Sequence, residues 1–103
     1  MVEYRILKLL CNGDVQEMSS NHKDLSSHFD GNDFTFCGAI DECYAVAICD
    51  SNSSGKPMNV FSEKFDNFFD ASRGDIILIG SDENGMACNL DIPKILSLLL
   101  TDT

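Results

Sequence analysis

The segment from Cys43 to Cys49 is apolar on both of its alternating faces, and few architectures can accommodate such a strand. Tyr44, Val46 and Ile48 share one face, while Cys43, Ala45, Ala47 and Cys49 share the other. A strand without a polar face belongs in the middle of a sheet that is covered on both sides. Its Cys/Ala face is built of small side chains, which suits the close approach of a helix.

The neighbours of that strand can be read from short apolar runs punctuated by turn residues. Residues 2–10 form a strand candidate, Asn12-Gly13-Asp14 is a hairpin signal, and residues 14–18 return. A short helix follows, with Ser20 or Asn21 as N-cap, Gly31 as stop, and Leu25 and Phe29 on its inner face. Residues 33–40 pair with 43–49 around Asp41-Glu42, with Phe34 and Phe36 pointing opposite to Thr35 and Cys37. Residues 50–57 read as a loop.

The clearest helical period runs over residues 60–72. It places Phe61, Phe65, Phe68 and Phe69 inward and Glu63, Asp66 and Asp70 outward, with Gly74 as the stop. Asp75 to Gly80 is a buried strand candidate, and Asp82-Glu83-Asn84-Gly85 turns it back through residues 86–90. A last helix starts with Asp91 as cap and Pro93 in its first turn. The order strand, turn, strand, helix thus occurs twice, at residues 6–29 and 76–99, with little residue identity between the two.

With 103 residues there is room for one domain, spanning 1–103. The expected class is α+β: a mixed or antiparallel sheet of about five to six strands built from β-hairpins. A Phe-rich helix and a C-terminal helix pack on it. Seven Phe and two Tyr supply enough bulk for a core without metal or disulfide staples.

Charge narrows the partners. Seventeen Asp and Glu against seven Lys and Arg give a net charge of -10. Such a surface repels nucleic acid and anionic membranes, so direct binding to either is not expected, whereas a basic protein partner suits it. No run approaches the ~18 apolar residues of a membrane span, and the first residues do not resemble a signal peptide. Five cysteines, an odd count set in apolar runs, are expected to be reduced and mostly buried thiols. A cytoplasmic or nuclear location follows.

Signatures of chemistry are sparse. Cys37, Cys43 and Cys49 recur every six residues, whereas zinc sites pair cysteines two to four apart, and His22 and His28 do not share a helical face. No metal and no cofactor is expected. Asp82 to Gly85 lacks the spacing of a calcium loop. There is no nucleophile elbow and no phosphate-cradling glycine loop.

Two surfaces point to binding. Glu63, Asp66 and Asp70 make an acidic row at helical spacing, fit to meet a basic protein or to imitate a row of phosphates; Asp82 and Glu83 extend the candidate surface. On the last helix Ile92, Ile95, Leu96 and Leu99 form a stripe that Leu98 and Leu100 widen, which suits a homodimer or a larger assembly.

The run Gly38-Ala39-Ile40, then Asn59, then Gly74-Asp75-Ile76-Ile77-Leu78-Ile79-Gly80 with Gly85 resembles a family of short uncharacterised proteins. These occur in phages, mobile elements and large DNA viruses. The likeness spans most of the chain and carries over no activity; it implies a viral or phage-type regulator or inhibitor.

Two functional readings stand. The first is a non-enzymatic protein-interaction module that binds a basic partner through its acidic surface. The second is a small enzyme or ligand-binding protein with a pocket between the sheet and the Phe61 to Phe69 helix, where Cys49, His28 and the acidic turn residues are the first polar candidates.

Overall fold

A computed structural model describes residues 2–21, 23–29, 33–52 and 55–100. Six strands form one antiparallel sheet: β1 (Tyr4–Leu9), β2 (Val15–Ser20), β3 (Phe34–Ile40), β4 (Ala45–Asp50), β5 (Ile76–Ser81) and β6 (Ala87–Cys88). Their order is β2-β1-β5-β4-β3, and β6 pairs with β5 beyond the stretch that β1 covers. Two helices accompany it, α1 (Val60–Lys64) and α2 (Ile92–Leu99). The class is therefore α+β, as the hairpin signals and apolar runs require. No helix among the described residues is long and apolar enough to cross a membrane.

The doubly apolar strand occupies the expected place. β4 lies between β3 and β5, and Ala45, Ala47 and Cys49 face the side on which α1 and α2 pack. There they join Leu7, Leu9, Ile76 and Leu78 with Phe61, Ile95 and Leu99. Small side chains on β4 let the helical layer approach while the aliphatic residues of β1 and β5 fill the space around it. On the opposite face Ile6, Ile48, Ile77 and Ile79 pack against Leu25 and Phe29. Those two residues belong to a short 3-10 helix, Leu25–Phe29. Its entry is held by Asn21, whose side-chain oxygen accepts from the Lys23 and Asp24 N–H groups, both at 3.0 Å. His22 and Gly31 lie outside the described residues.

The two strand-turn-strand-helix units are not copies. The 3-10 helix of the first covers one face of the sheet and α2 of the second covers the other. The turns themselves form as the sequence indicates. Leu10 N–H donates to the Asp14 carbonyl at 2.8 Å across the first, and Asp82 N–H donates to the Met86 carbonyl at 2.9 Å across the last. Asp91 caps α2 through the Lys94 N–H at 3.3 Å.

The Phe-rich helix departs most from its expected extent. The period predicts residues 60–72, but α1 ends at Lys64 and the chain continues in turns to Phe68. Phe69 then bridges Gly38 at the outer edge of β3. Ala39 N–H donates to the Phe68 carbonyl at 3.0 Å, and Asp70 N–H to the Cys37 carbonyl at 2.7 Å. An edge strand with unpaired backbone groups gains more from this pairing than the segment would gain from two further helical turns. Phe65, Phe68 and Phe69 still reach the core, by a different route. Glu63, Asp66 and Asp70 consequently do not form a row on one helix.

Gly38 permits the docking. Its φ is +155°, and a Cβ there would meet the Phe68 carbonyl oxygen at 2.1 Å. Asn59 fixes the other end of the same segment. It is fully buried; its Oδ1 accepts from Phe61 N–H at 2.8 Å, and its Nδ2 donates to the Leu9 and Gly74 carbonyls at 3.0 and 2.9 Å.

Asn59→Ala leaves those three backbone groups without partners and is expected to lower stability by about 3 kcal/mol, measured by urea denaturation. Gly38→Ala should cost about 2 kcal/mol or more and raise hydrogen exchange at Ala39 and Asp70, while the amides of β1 and β5 stay protected.

Candidate functional site

The docking of residues 68–73 against β3 creates a cleft of about 340 Å³. Cys37 and Cys49 lie on its wall, with Ser72, Asp50, Asp70 and Arg73 around them. The two cysteines are brought together by an irregularity in strand pairing. Phe36 pairs with Ile48 and Gly38 with Ala47, so Cys37 is the extra residue of a β-bulge, two residues beyond Thr35, which pairs with Cys49. Alternation from Thr35 puts Cys37 on the same side as Cys49, and the bulge leaves it without a partner across the ladder. Both residues are nearly buried, at 3% and 7% exposure.

The ionisation of Cys37 and Cys49 is governed by the bond between their neighbouring thiols, with Ser72 acting on both. Ser72 also donates its hydroxyl to the Asp70 carbonyl at 2.8 Å. The bond from Cys37 pulls the Cys49 thiol down to about 7, against burial and the neighbouring Asp50 and Asp70 carboxylates, with Ser72 helping. Cys37 moves the opposite way: its bond to Cys49 and its burial hold its proton firmly. One sulfur is thus set to ionise while the other stays a donor. Cys11 and Cys43 provide a contrast, since burial raises both.

Asp50 forms a further wall. Its carboxylate is 1% exposed, pairs with the Lys56 ammonium at 2.9 Å and accepts from Asn52 N–H at 2.8 Å. Arg73 reaches back to the Lys56 carbonyl at 3.1 Å. Among the described residues no three His, Cys, Asp or Glu side chains converge as a metal site would require.

A second feature lies on the face that carries the 3-10 helix. That helix covers only part of the face, and near β6 the sheet presents a groove of about 190 Å³ over Ile79, Val46 and Ala87. Phe36 stands at its side with 66% of its surface exposed. An adjoining hollow of about 310 Å³ shares Val46 and Ser81 and is lined by Tyr44, Asp41 and Asp82. Tyr44 is 52% exposed and adopts a left-handed backbone, φ 51°, as the chain leaves the 3-10 turn Asp41–Cys43. The result is an apolar patch with carboxylates at one end.

The sequence candidates divide between these places. Asp82 and Glu83 lie in the β5–β6 turn beside the second hollow, although Asp82 Oδ1 also accepts from Asn84 and Met86 N–H, both at 2.9 Å. Asp70 is on the Cys37–Cys49 cleft, whereas Glu63 lies on α1 and Asp66 in the turn beyond it. Of the residues suggested for a pocket under the Phe helix, Cys49 is in the cleft. His28 is not; it sits beside Ser20 on the other face, with Nε2 3.2 Å from the hydroxyl. It is half-buried, and burial, then the Lys8 charge, lower its pKa. Leu98 packs partly against the core, and Leu100 is exposed.

Sequence reasoning missed Cys37 as the partner of Cys49, and it missed Ser72 and Arg73 altogether. The available signal was Gly38 inside a strand pattern, which marks a bulge or a close backbone approach. Compared with known proteins, the chain matches no family model, no curated protein and no solved structure.

Proposed function

We propose that the protein is a non-enzymatic interaction module that docks a basic protein partner on the open end of its sheet. The observation that carries this reading is Phe36, a large aromatic left mostly exposed beside an apolar groove. Asp41 and Asp82, with Glu42 and Glu83 next to them in the chain, add negative charge beside it. An apolar centre with charge at its margin is the usual anatomy of a protein interface, and aromatic anchors contribute most of the affinity there. The net charge of -10 steers a basic partner toward this surface and away from nucleic acid. Such a module would act as a regulator or inhibitor, in keeping with the family likeness carried by Gly38 to Ile40, Asn59 and Gly74 to Gly80.

The geometry asks for a short segment that combines one apolar anchor with nearby Lys or Arg. Selection from a random peptide library on the immobilised protein is expected to enrich such sequences, with binding that weakens as salt rises. Phe36→Ser should reduce the affinity of the selected peptides at least tenfold, and Asp41→Asn with Glu83→Gln should flatten the salt dependence. Enrichment of acidic peptides, or binding that Phe36→Ser leaves unchanged, would overturn the reading.

A further inference from the structure

The cleft holding Cys37 and Cys49 shares only Phe36 with the groove on the open sheet face, and its chemistry is of another kind. Cys37 and Cys49 lie on paired strands, on the same side of the sheet, and both line a hollow of about 340 Å³, which lies within the range of small-molecule sites. A core needs no such arrangement: two buried thiols pack as well when they are apart. We propose that Cys37 and Cys49 are a redox-active dithiol that exchanges electrons with a small organic disulfide entering this cleft.

The chemistry balances within that pair and its substrate. The Cys49 thiolate, its proton given to solvent, attacks one sulfur of the disulfide R–S–S–R. The substrate S–S bond breaks, a Cys49–S–S–R bond forms, and R–S⁻ leaves and takes a proton from solvent. The Cys37 sulfur then attacks Cys49 Sγ in the mixed disulfide. The Cys49–S–R bond breaks, the second R–S⁻ departs with the proton from Cys37, and a Cys37–Cys49 disulfide remains. Two protein thiols have been oxidised and one substrate disulfide reduced to two thiols; excess thiol reverses both steps.

Each neighbouring group has a stated part. Cys37, from the bulge of β3, and then Ser72, from the segment after α1, lower the Cys49 pKa, and together they outweigh burial and the Asp50 and Asp70 carboxylates, which oppose the thiolate. Asp50 is itself paired with Lys56, so part of its field is neutralised. Ionisation of Cys49 near neutrality places it where an attacking thiol works best, ionised yet still nucleophilic. Asp70 and Arg73 on the rim present one charge of each sign, the complement of the charged ends of an amino-acid disulfide. The near burial of both sulfurs disfavours a protein disulfide, which would have to enter the cleft, and favours a small one.

The test uses the intact chain and oxidised glutathione as the probe. Reduced protein is equilibrated in glutathione buffers of rising oxidised fraction, quenched with acid, alkylated and mapped by mass spectrometry. The expected first product is an intramolecular Cys37–Cys49 disulfide. Cys37→Ser should stall at glutathione bound to Cys49, and Cys49→Ser should abolish both products. A second measurement needs no variant: iodoacetamide labelling of the native wild type across pH, read peptide by peptide. Cys49 should label with a midpoint near pH 7, and Cys11 and Cys43 only at higher pH. Ser72→Ala should shift the Cys49 midpoint upward. Glutathione adducts confined to Cys11 or Cys88 without a Cys37–Cys49 disulfide, or a Cys49 that labels only with Cys43, would overturn the proposal.

Discussion

A single buried carboxamide, that of Asn59, holds together three parts of the chain that have no covalent reason to meet. Its oxygen starts α1 at Phe61, and its nitrogen ties the end of β1 at Leu9 to the Gly74 carbonyl just before β5. The Asn59 backbone N–H adds a bond to the Ser72 carbonyl at 2.8 Å. Ser62 continues the network, donating to the Asn59 carbonyl at 2.8 Å and accepting from Ser72 N–H at 3.2 Å. Buried polar groups stabilise only when they are satisfied, and here the partners lie on different segments. The network therefore sets where residues 70–74 run, and with them where the Ser72 hydroxyl meets Cys37 and Cys49. The cleft follows from a fold constraint thirteen residues from Ser72 in sequence.

The acidity of the chain is partly structural in the same sense. Asp75 accepts from Cys11 N–H at 3.0 Å, Asp82 closes the β5–β6 turn, Asp91 caps α2, and Asp50 holds Lys56. Each uses a carboxylate where the backbone or an ammonium needs an acceptor. A net charge counted from the sequence cannot separate these from carboxylates that meet only solvent. The inference from charge to partner therefore has to rest on position, on Asp41 and the β5–β6 turn beside the groove, rather than on the total.

What could be read from residues alone was set by local rules. The doubly apolar 43–49 segment, the buried run from Asp75 to Gly80, and the turns at Asn12-Gly13 and Asn84-Gly85 depend on patterns of a few residues. They placed the sheet, its central strands and its hairpins. The end of α1 was not legible, because a 3.6 period in Phe residues competes with a demand that comes from elsewhere in the chain. The outer edge of β3 needs backbone partners, and Phe68 to Asp70 supply them only by leaving the helix. The Cys37–Cys49 meeting was hidden for a related reason. Regular alternation puts residues 37 and 49 on the same side of the sheet, but their approach depends on a one-residue bulge that only pairing reveals.

Phe36 occupies the position where the two proposed surfaces touch. The residue borders both the cysteine cleft and the groove on the opposite side of β3, and its ring packs edge-on to Phe34 at 6.2 Å. The residue after it is the bulged Cys37. A bulge is the least constrained point of a strand pair, since its extra residue has no partner across the ladder. A covalent bond between Cys37 and Cys49 would tighten that point, and the strain would reach Phe36 through one peptide unit. The well-packed core on the α1 and α2 side, with Ala47 and Leu78 fully buried, offers far less room for such a change.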